Sequence, residues 1–202
     1  TGRYGGHAGR ALDYRVSGQT ASRGPELHPG DDAFDDWNLS QATARADWGA
    51  PGDRDTITVD GRWYTGREGK RTGIGFYDPP AQIDVDDPQY VSGGDVRARW
   101  RRVVDAGDDL QAQVYYDRTN RDGVQFGELR DTFDLDVIDH VTPLARHSIR
   151  WGAGARWSPS TFLQTQPTVD FEPHQETDRL FSFFGQDEIG LVPRRLTLTK
   201  IG

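Results

Sequence analysis

The segment Ile149 to Trp157 reads IRWGAGARW. On an extended chain, Ile149, Trp151, Ala153, Ala155 and Trp157 fall on one side, and Arg150, Gly152, Gly154 and Arg156 on the other. A helix would scatter these residues around its axis, whereas a period of two gathers them into one apolar and one polar face. The same grammar recurs along the chain. Leu12, Tyr14, Val16 and Gly18 alternate with Asp13, Arg15, Ser17 and Gln19. Ala42, Ala44, Ala46 and Trp48 alternate with Thr43, Arg45 and Asp47. Ile57, Val59, Gly61 and Trp63 oppose Thr58, Asp60, Arg62 and Tyr64, and Val96, Ala98 and Trp100 oppose Arg97, Arg99 and Arg101. Leu110, Ala112, Val114 and Tyr116 oppose Gln111, Gln113, Tyr115 and Asp117; Phe133, Leu135 and Val137 oppose Thr132, Asp134 and Asp136. Phe181, Phe183, Ile189 and Leu191 continue the pattern; with a partial strand at Thr1 to Gly5 and another opening at Leu196, the count is about ten. Trp37 is out of phase with Ala42 to Trp48, which predicts a bulge there or a place in the loop.

Composition narrows the class. The chain has 202 residues, 34% hydrophobic and 28% charged, with no Cys and a formal charge of -8. Without Cys there is no disulfide scaffold, thiolate metal site or cysteine nucleophile. The acidic balance argues against nucleic acid as partner. No apolar run reaches the roughly 18 residues of a spanning helix, but spanning strands carry only a weak alternating signal. A mean hydropathy of -0.77 fits that case, because only alternate strand residues would face lipid. There are 22 Arg against two Lys, Lys70 and Lys200, a coding bias before it is chemistry. Neither a signal peptide nor an initiator Met is present, so a fragment is expected.

The connections are predicted to alternate between short and long. Short ones lie at His7 to Arg10, Gly49 to Asp55, Asp105 to Asp109, Val141 to Arg146 and Val192 to Arg195. Long ones lie at Arg23 to Asp36, Arg67 to Gly94, Arg121 to Glu128 and Ser158 to Glu176. Tight turns on one edge and long loops on the other are the build of an outer-membrane barrel. Trp63, Phe133, Trp157 and Phe181 beside long loops, and Trp48 beside a short turn, take the positions of membrane-interface aromatics. Trp100 and Trp151 are assigned to the apolar band between. The alternative is a soluble β-sandwich binding a ligand such as carbohydrate, which would bury the apolar face against a second sheet.

From Gly93 onward the text resembles the barrel of TonB-dependent outer-membrane receptors. The resemblance rests on GGDVRARWRRVVDAGDDLQAQVYYDRTNRD (Gly93 to Asp122), DTFDLDV (Asp131 to Val137), RHSIRWGAGARW (Arg146 to Trp157) and, most specifically, TDRLFSFFGQDEIGLVPRRLTLT (Thr177 to Thr199). RYGG (Arg3 to Gly6) followed by YRV (Tyr14 to Val16) is similar to the family's opening hairpin. The family carries an N-terminal plug, a box that engages its energy-transducing partner, and about 22 strands. None of these is complete here, and TLTKIG (Thr197 to Gly202) strays from the usual continuation. The expectation is an all-β, antiparallel up-and-down meander of about ten strands. It would form residues 1–202 of a partial transmembrane barrel, open and curved, with plug and later strands absent. The parent would take up a large scarce solute such as a ferric siderophore, with outer-membrane lipid, its own plug and the TonB complex as partners. No enzyme activity, cofactor or metal is expected.

Within that frame the lumen face is assigned to Arg15, Arg45, Arg62, Arg97, Arg99 and Arg101 with Asp13, Asp47, Asp60, Asp117, Asp134 and Asp136. Of these, Arg15, Arg45, Arg62, Arg99 and Asp117, together with Tyr115, are expected to face the plug. A merely solvated polar face is the other reading. Arg67, Arg71, Tyr77, Tyr90 and Phe126 are the candidate ligand contacts, since Arg and aromatic side chains bind large anionic chelates. The acidic loop GDDAFDDW (Gly30 to Trp37) near His28, and IDVDD (Ile83 to Asp87), are read as solvated loops rather than Ca²⁺ sites, because they lack a fixed ligand spacing. The five His show no metal-site spacing, adjacent Asp187 and Glu188 point to opposite faces, GAGAR (Gly152 to Arg156) is a strand rather than a phosphate loop, and the sequon at Asn38 is taken as chance.

Overall fold

The computed structural model describes residues 1–202 except 31, 51, 80, 106, 145, 165–169 and 193–195. It contains β1 (Gly2–Ala8), β2 (Leu12–Arg23), β3 (Trp37–Trp48), β4 (Asp55–Glu68), β5 (Arg71–Gly75), β6 (Gln82–Asp86), β7 (Gln89–Asp105), β8 (Asp108–Asp122), β9 (Phe126–Leu144), β10 (His147–Gln164), β11 (Gln175–Val192) and β12 (Leu196–Ile201). Ten of these form one antiparallel meander in the order β1, β2, β3, β4, β7, β8, β9, β10, β11, β12, while β5 and β6 pair with each other. The sheet does not close, so β1 and β12 are its edges.

Register explains why the alternation matters. Leu12, Trp48, Ile57, Trp100, Ala112, Val137, Ala153 and Phe183 are successive cross-strand partners from β2 to β11. The next apolar row runs Tyr14, Ala46, Val59, Ala98, Val114, Leu135, Ala155 and Phe181. A slip of one residue in any strand would place charges in these rows, so pattern and pairing fix each other.

Among the described residues the only other sheet is the two-stranded β5–β6 pair, too small to cover a face of the ten-stranded sheet, so the sandwich alternative is overturned. Among the described residues the only buried hydrophobic side chain is Ile74, in the β5–β6 hairpin. Trp48 is 64% exposed and Phe181 79%.

The connections correct the sequence reading in four places. The segment Arg121 to Glu128 is not a long loop: Arg121 pairs with Glu128, leaving only residues 123–125 between β8 and β9. Backbone pairing continues there because a ladder needs no side-chain alternation. Arg67 to Gly94 is not irregular either, since it holds β5, β6 and the start of β7. Trp37 needs no bulge and is no loop residue: it opens β3 in register with Arg23 and Glu68, on the face opposite Trp48. The short ends are tighter than expected, with only residues 106–107 between β7 and β8 and 145–146 between β9 and β10. The expected loop Ser158 to Glu176 is also shorter than read, since β10 runs to Gln164 and β11 begins at Gln175; its residues 165–169, like 193–195 of the turn at Val192 to Arg195, lie outside the described residues.

Gly49, which follows β3, has φ +143°, and an added Cβ would sit 2.8 Å from Thr56 Cγ2. Gly18, within β2, would meet only Gln41 O at 3.8 Å. Gly49→Ala is therefore expected to lower stability by about 1–3 kcal/mol, and Gly18→Ala by no measurable amount. Urea unfolding in detergent micelles compares the two; equal effects would contradict this account of the turn.

Candidate functional site: the polar face and the long-loop end

The polar face is a lattice of Arg, Asp and neutral hydrogen-bonding groups. Arg45, Asp60, Arg97, Tyr115, Asp134 and Arg156 are successive cross-strand partners from β3 to β10. Thr43, Arg62, Asp95, Asp117 and Thr132 form the row toward the long loops, and Asp47, Thr58, Arg99, Gln113 and Asp136 the row toward the short turns. Arg97 Nη2 donates to Asp60 Oδ1 at 2.9 Å, Arg62 Nη2 lies 3.0 Å from Asp95, and Arg156 Nε donates to Asp134 at 2.8 Å. Arg45 holds Asp47 of its own strand with two bonds of 2.7 Å, and Thr58 donates to the same carboxylate at 2.8 Å. Arg99 donates to Gln113 rather than to an acid, and Thr119 donates to Asp117.

Register thus places Arg15, Arg45, Arg62, Arg99, Tyr115 and Asp117 on one face. Arg15 stands directly across from Arg45 and makes no ion pair among the described residues. Most of the other charges are paired within the face, by partners one strand away or two residues along. At these exposures each pair adds little to stability, about 0–1 kcal/mol, and its main effect is to order the side chains.

The long-loop end carries an assembly that periodicity alone did not reveal. The described residues of the β2–β3 connection, 24–30 and 32–36, meet the β5–β6 hairpin through Asp32 and Phe34. Arg71 is the joint: Nε and Nη2 donate to Asp86 at 2.6 and 2.9 Å, and Nη1 donates to Asp32 at 2.7 Å. Its guanidinium lies 4.2 Å from the centre of the Phe34 ring, which stacks in turn on His28 at 4.3 Å. Arg67 Nη1 donates to Asp36 at 2.6 Å, and the Gly69 N–H donates to Asp36 O. Asp32, Asp36 and Asp86 of GDDAFDDW and IDVDD are accordingly structural partners as well as solvent-exposed; Asp31 lies outside the described residues. No group of three or more His, Asp or Glu among the described residues is placed to hold a metal ion. The available signal was RTGIG and QIDVD, two short alternations flanking the turn-forming Asp78 and Pro79.

The five candidate ligand contacts do not converge. Arg71 is inside this joint, and Tyr77 stands 91% exposed beyond the end of β5. Arg67 and Tyr90 are cross-strand partners, on the same face as Trp63 by parity. Phe126 faces the other way and meets Phe171 edge-on at 5.2 Å, with Phe162 stacked behind at 4.8 Å.

No protein-family model and no curated protein matches the chain in sequence. Among solved structures the architecture matches part of a siderophore receptor. The siderophore receptor PirA from Pseudomonas aeruginosa superposes with a TM-score of 0.59 over 95% of this chain, at 15% sequence identity. The chain spans 30% of the length of that receptor. At this identity the likeness is one of fold.

The joint has a defined pH response. Asp86 is held below the usual carboxylate range chiefly by the Arg71 hydrogen bonds, and Asp35 chiefly by the Glu26 backbone N–H. A lowered carboxyl contributes fully above its ordinary value and loses that contribution as pH falls through the lowered one. Hydrogen exchange across 24–36, corrected for intrinsic rate, should therefore not change between about pH 8 and pH 5, and should rise only below about pH 4. Arg71→Ala should release the same segment at neutral pH; an unchanged exchange pattern in that variant would contradict the assignment of Arg71 as the joint.

Proposed function

We propose that the chain is part of the barrel of a TonB-dependent outer-membrane receptor, which takes up a large scarce solute such as a ferric siderophore. The observation that carries this reading is the continuous, uncovered apolar face, whose rows run unbroken across eight of the ten strands. In water such a face has no stable counterpart, and in lipid it is the expected outer wall of a barrel. Strands β7 to β11 are 15–19 residues long, whereas about 9–11 residues cross a bilayer. The excess carries the barrel wall beyond the membrane, toward the side on which ligand is met.

On this reading the free edges β1 and β12 are continued by further strands of a larger protein, the polar face lines the lumen, and the plug lies against it. Arg15, Arg45, Arg62, Arg99, Tyr115 and Asp117 are its contacts. Trp48, Trp63, Phe133, Trp157 and Phe181 mark the two interfaces. Trp100 and Trp151 join them, since their indole N–H groups donate to Asp55 and Asp139, carboxylates that belong to an interface and not to hydrocarbon. Solute is captured by the long-loop end, with Arg67, Arg71, Tyr77, Tyr90 and Phe126 as contributors, and the TonB complex drives plug displacement. The assigned role is transport, without a catalytic step.

Membrane fractionation tests the reading. The protein as its gene encodes it should sediment with outer membranes and dissolve only in detergent. Leu135→Arg, on the apolar face, should cost about 2–4 kcal/mol and deplete the membrane-inserted protein, whereas Gln113→Arg on the polar face should not. Loss of ferric-chelate uptake on deleting the gene would support the solute class. A detergent-independent soluble monomer would overturn the reading.

A further inference from the structure

At the short-turn end of the polar face, β7 to β10 bring Arg101, Asp109, His140 and Ser148 into one line. Asp109 and His140 are direct cross-strand partners on β8 and β9. His140 faces Arg150 on β10, and Ser148 lies two residues before Arg150, on the same face. Ser148 Oγ is 2.7 Å from His140 Nε2. On the far side of the ring, His140 Nδ1 is 3.6 Å from Asp109 Oδ1, and Arg101 Nε donates to Asp109 Oδ2 at 2.9 Å.

The order along this line is hydroxyl, imidazole, carboxylate and a cation behind the carboxylate. With Asp109 beside Nδ1, the proton of the neutral ring belongs on Nδ1, so Nε2 is the acceptor and Ser148 donates to it. That is the direction a general base requires. The Nδ1 contact is longer than a hydrogen bond, and catalytic contacts of this kind are commonly long before substrate binds. The side chains of His140 and Asp109 are 20% and 26% exposed, enough cover to hold the ring in place. Arg150 is exposed and makes no ion pair among the described residues. It stands roughly 7 Å along the strand from Ser148, within reach of an oxygen on an acyl group attacked by that hydroxyl.

We propose that Ser148 is an activated nucleophile and that this line of residues hydrolyses carboxylic esters, an activity separate from transport that stands on the geometry and not on the membrane reading. Ser148 Oγ bonds to the acyl carbon as its proton passes to His140 Nε2, and Arg150 holds the developing oxyanion. The bond from the acyl carbon to the alcohol oxygen then breaks, and His140 returns the proton to the departing alkoxide. Water, deprotonated by the same nitrogen, attacks the acyl-serine, releases the carboxylic acid and restores Ser148. Asp109, held by Arg101, is a positioning residue for the imidazole. An open site with one cationic donor suits an ester rather than an amide, because an alkoxide leaves more readily than an amine.

The test uses the protein as its gene encodes it, a fluorophosphonate probe that phosphonylates activated serines, and p-nitrophenyl acetate as the ester. The charged groups around His140 are Asp109 and Arg101 on one side and Arg150 on the other, with Glu188 across from Ser148. Wild type should carry the label on Ser148, at a rate that rises across about pH 5.5 to 7.5 as the imidazole loses its proton. Ser148→Ala should abolish both label and ester turnover. His140→Gln, which keeps a hydrogen-bonding group but supplies no base, should slow labelling about 100-fold or more and flatten the pH profile. Asp109→Asn should slow it about tenfold or more and move the midpoint of the profile to lower pH, since the imidazolium then faces Arg101 without the acid. Ser182→Ala, on the same face across from Gly154, should change nothing. Each variant is compared at an unchanged circular dichroism spectrum. No label on wild-type Ser148, or labelling that His140→Gln leaves unaltered in folded protein, overturns the proposal. Either result is read equally from detergent-solubilised or soluble protein, so it is independent of the membrane reading.

Discussion

The structure depends on cross-strand register. Because side chains alternate with a period of two, one set of backbone hydrogen bonds decides at once which residues share the apolar face and which the polar one. Rows such as Tyr14, Ala46, Val59, Ala98, Val114, Leu135, Ala155 and Phe181 remain apolar over eight strands only because every pairing between them keeps its phase. The shifts in register that do occur, between Val103 and Asp105, His147 and Ile149, and Gly190 and Val192, all fall at short-turn ends, where no row is interrupted.

A sheet organised this way has two surfaces and no interior. Ile74 is buried within the small β5–β6 hairpin, while the main sheet's large apolar side chains stay open. The usual driving force of folding, removal of apolar surface from water, is thus not realised inside the chain. It has to be supplied by what surrounds the apolar face, which is why fold and environment form a single question here. Closing the backbone ladders at β1 and β12 is the companion requirement, since an unpaired edge is as costly in lipid as it is hazardous in water.

Most of the main sheet could be read from sequence because the signal is repeated: Ile149 to Trp157 alone suggests a strand, and seven further segments in phase with it specify a sheet. What escaped the reading has a common physical cause. Pairing from Arg121 to Asp122 and from Phe126 to Glu128 is sustained by backbone groups, whose hydrogen bonds leave no trace in side-chain pattern. Trp37 lies at the start of β3 on the polar face, where phase alone points to a bulge, although backbone pairing there sets no requirement on which face carries an aromatic side chain. The Arg71 joint depends on Asp32 and Phe34 meeting Asp86, residues brought together by two connections whose lengths vary freely. Alternation constrains neighbours two apart, and it carries no information about which loop meets which.

The polar face adds a further step. Direct cross-strand neighbours include like charges, Arg15 across from Arg45, Asp13 across from Asp47 and Asp95 across from Asp117, an arrangement that destabilises an isolated pair. The lattice resolves this by in-strand pairing and by partners directly across on the other neighbouring strand: Arg45 turns to Asp47, Arg62 reaches Asp95, and His7 reaches Asp13. Most charges arranged this way are paired within the sheet, Arg15 excepted, yet stay accessible on one side. Such a surface can hold a mobile partner by many weak polar contacts and release it without leaving buried charges stranded, whereas an apolar lumen would grip its contents through a hydrophobic contact too costly to break. On the proposed reading, that property suits a lumen wall against which a plug is displaced.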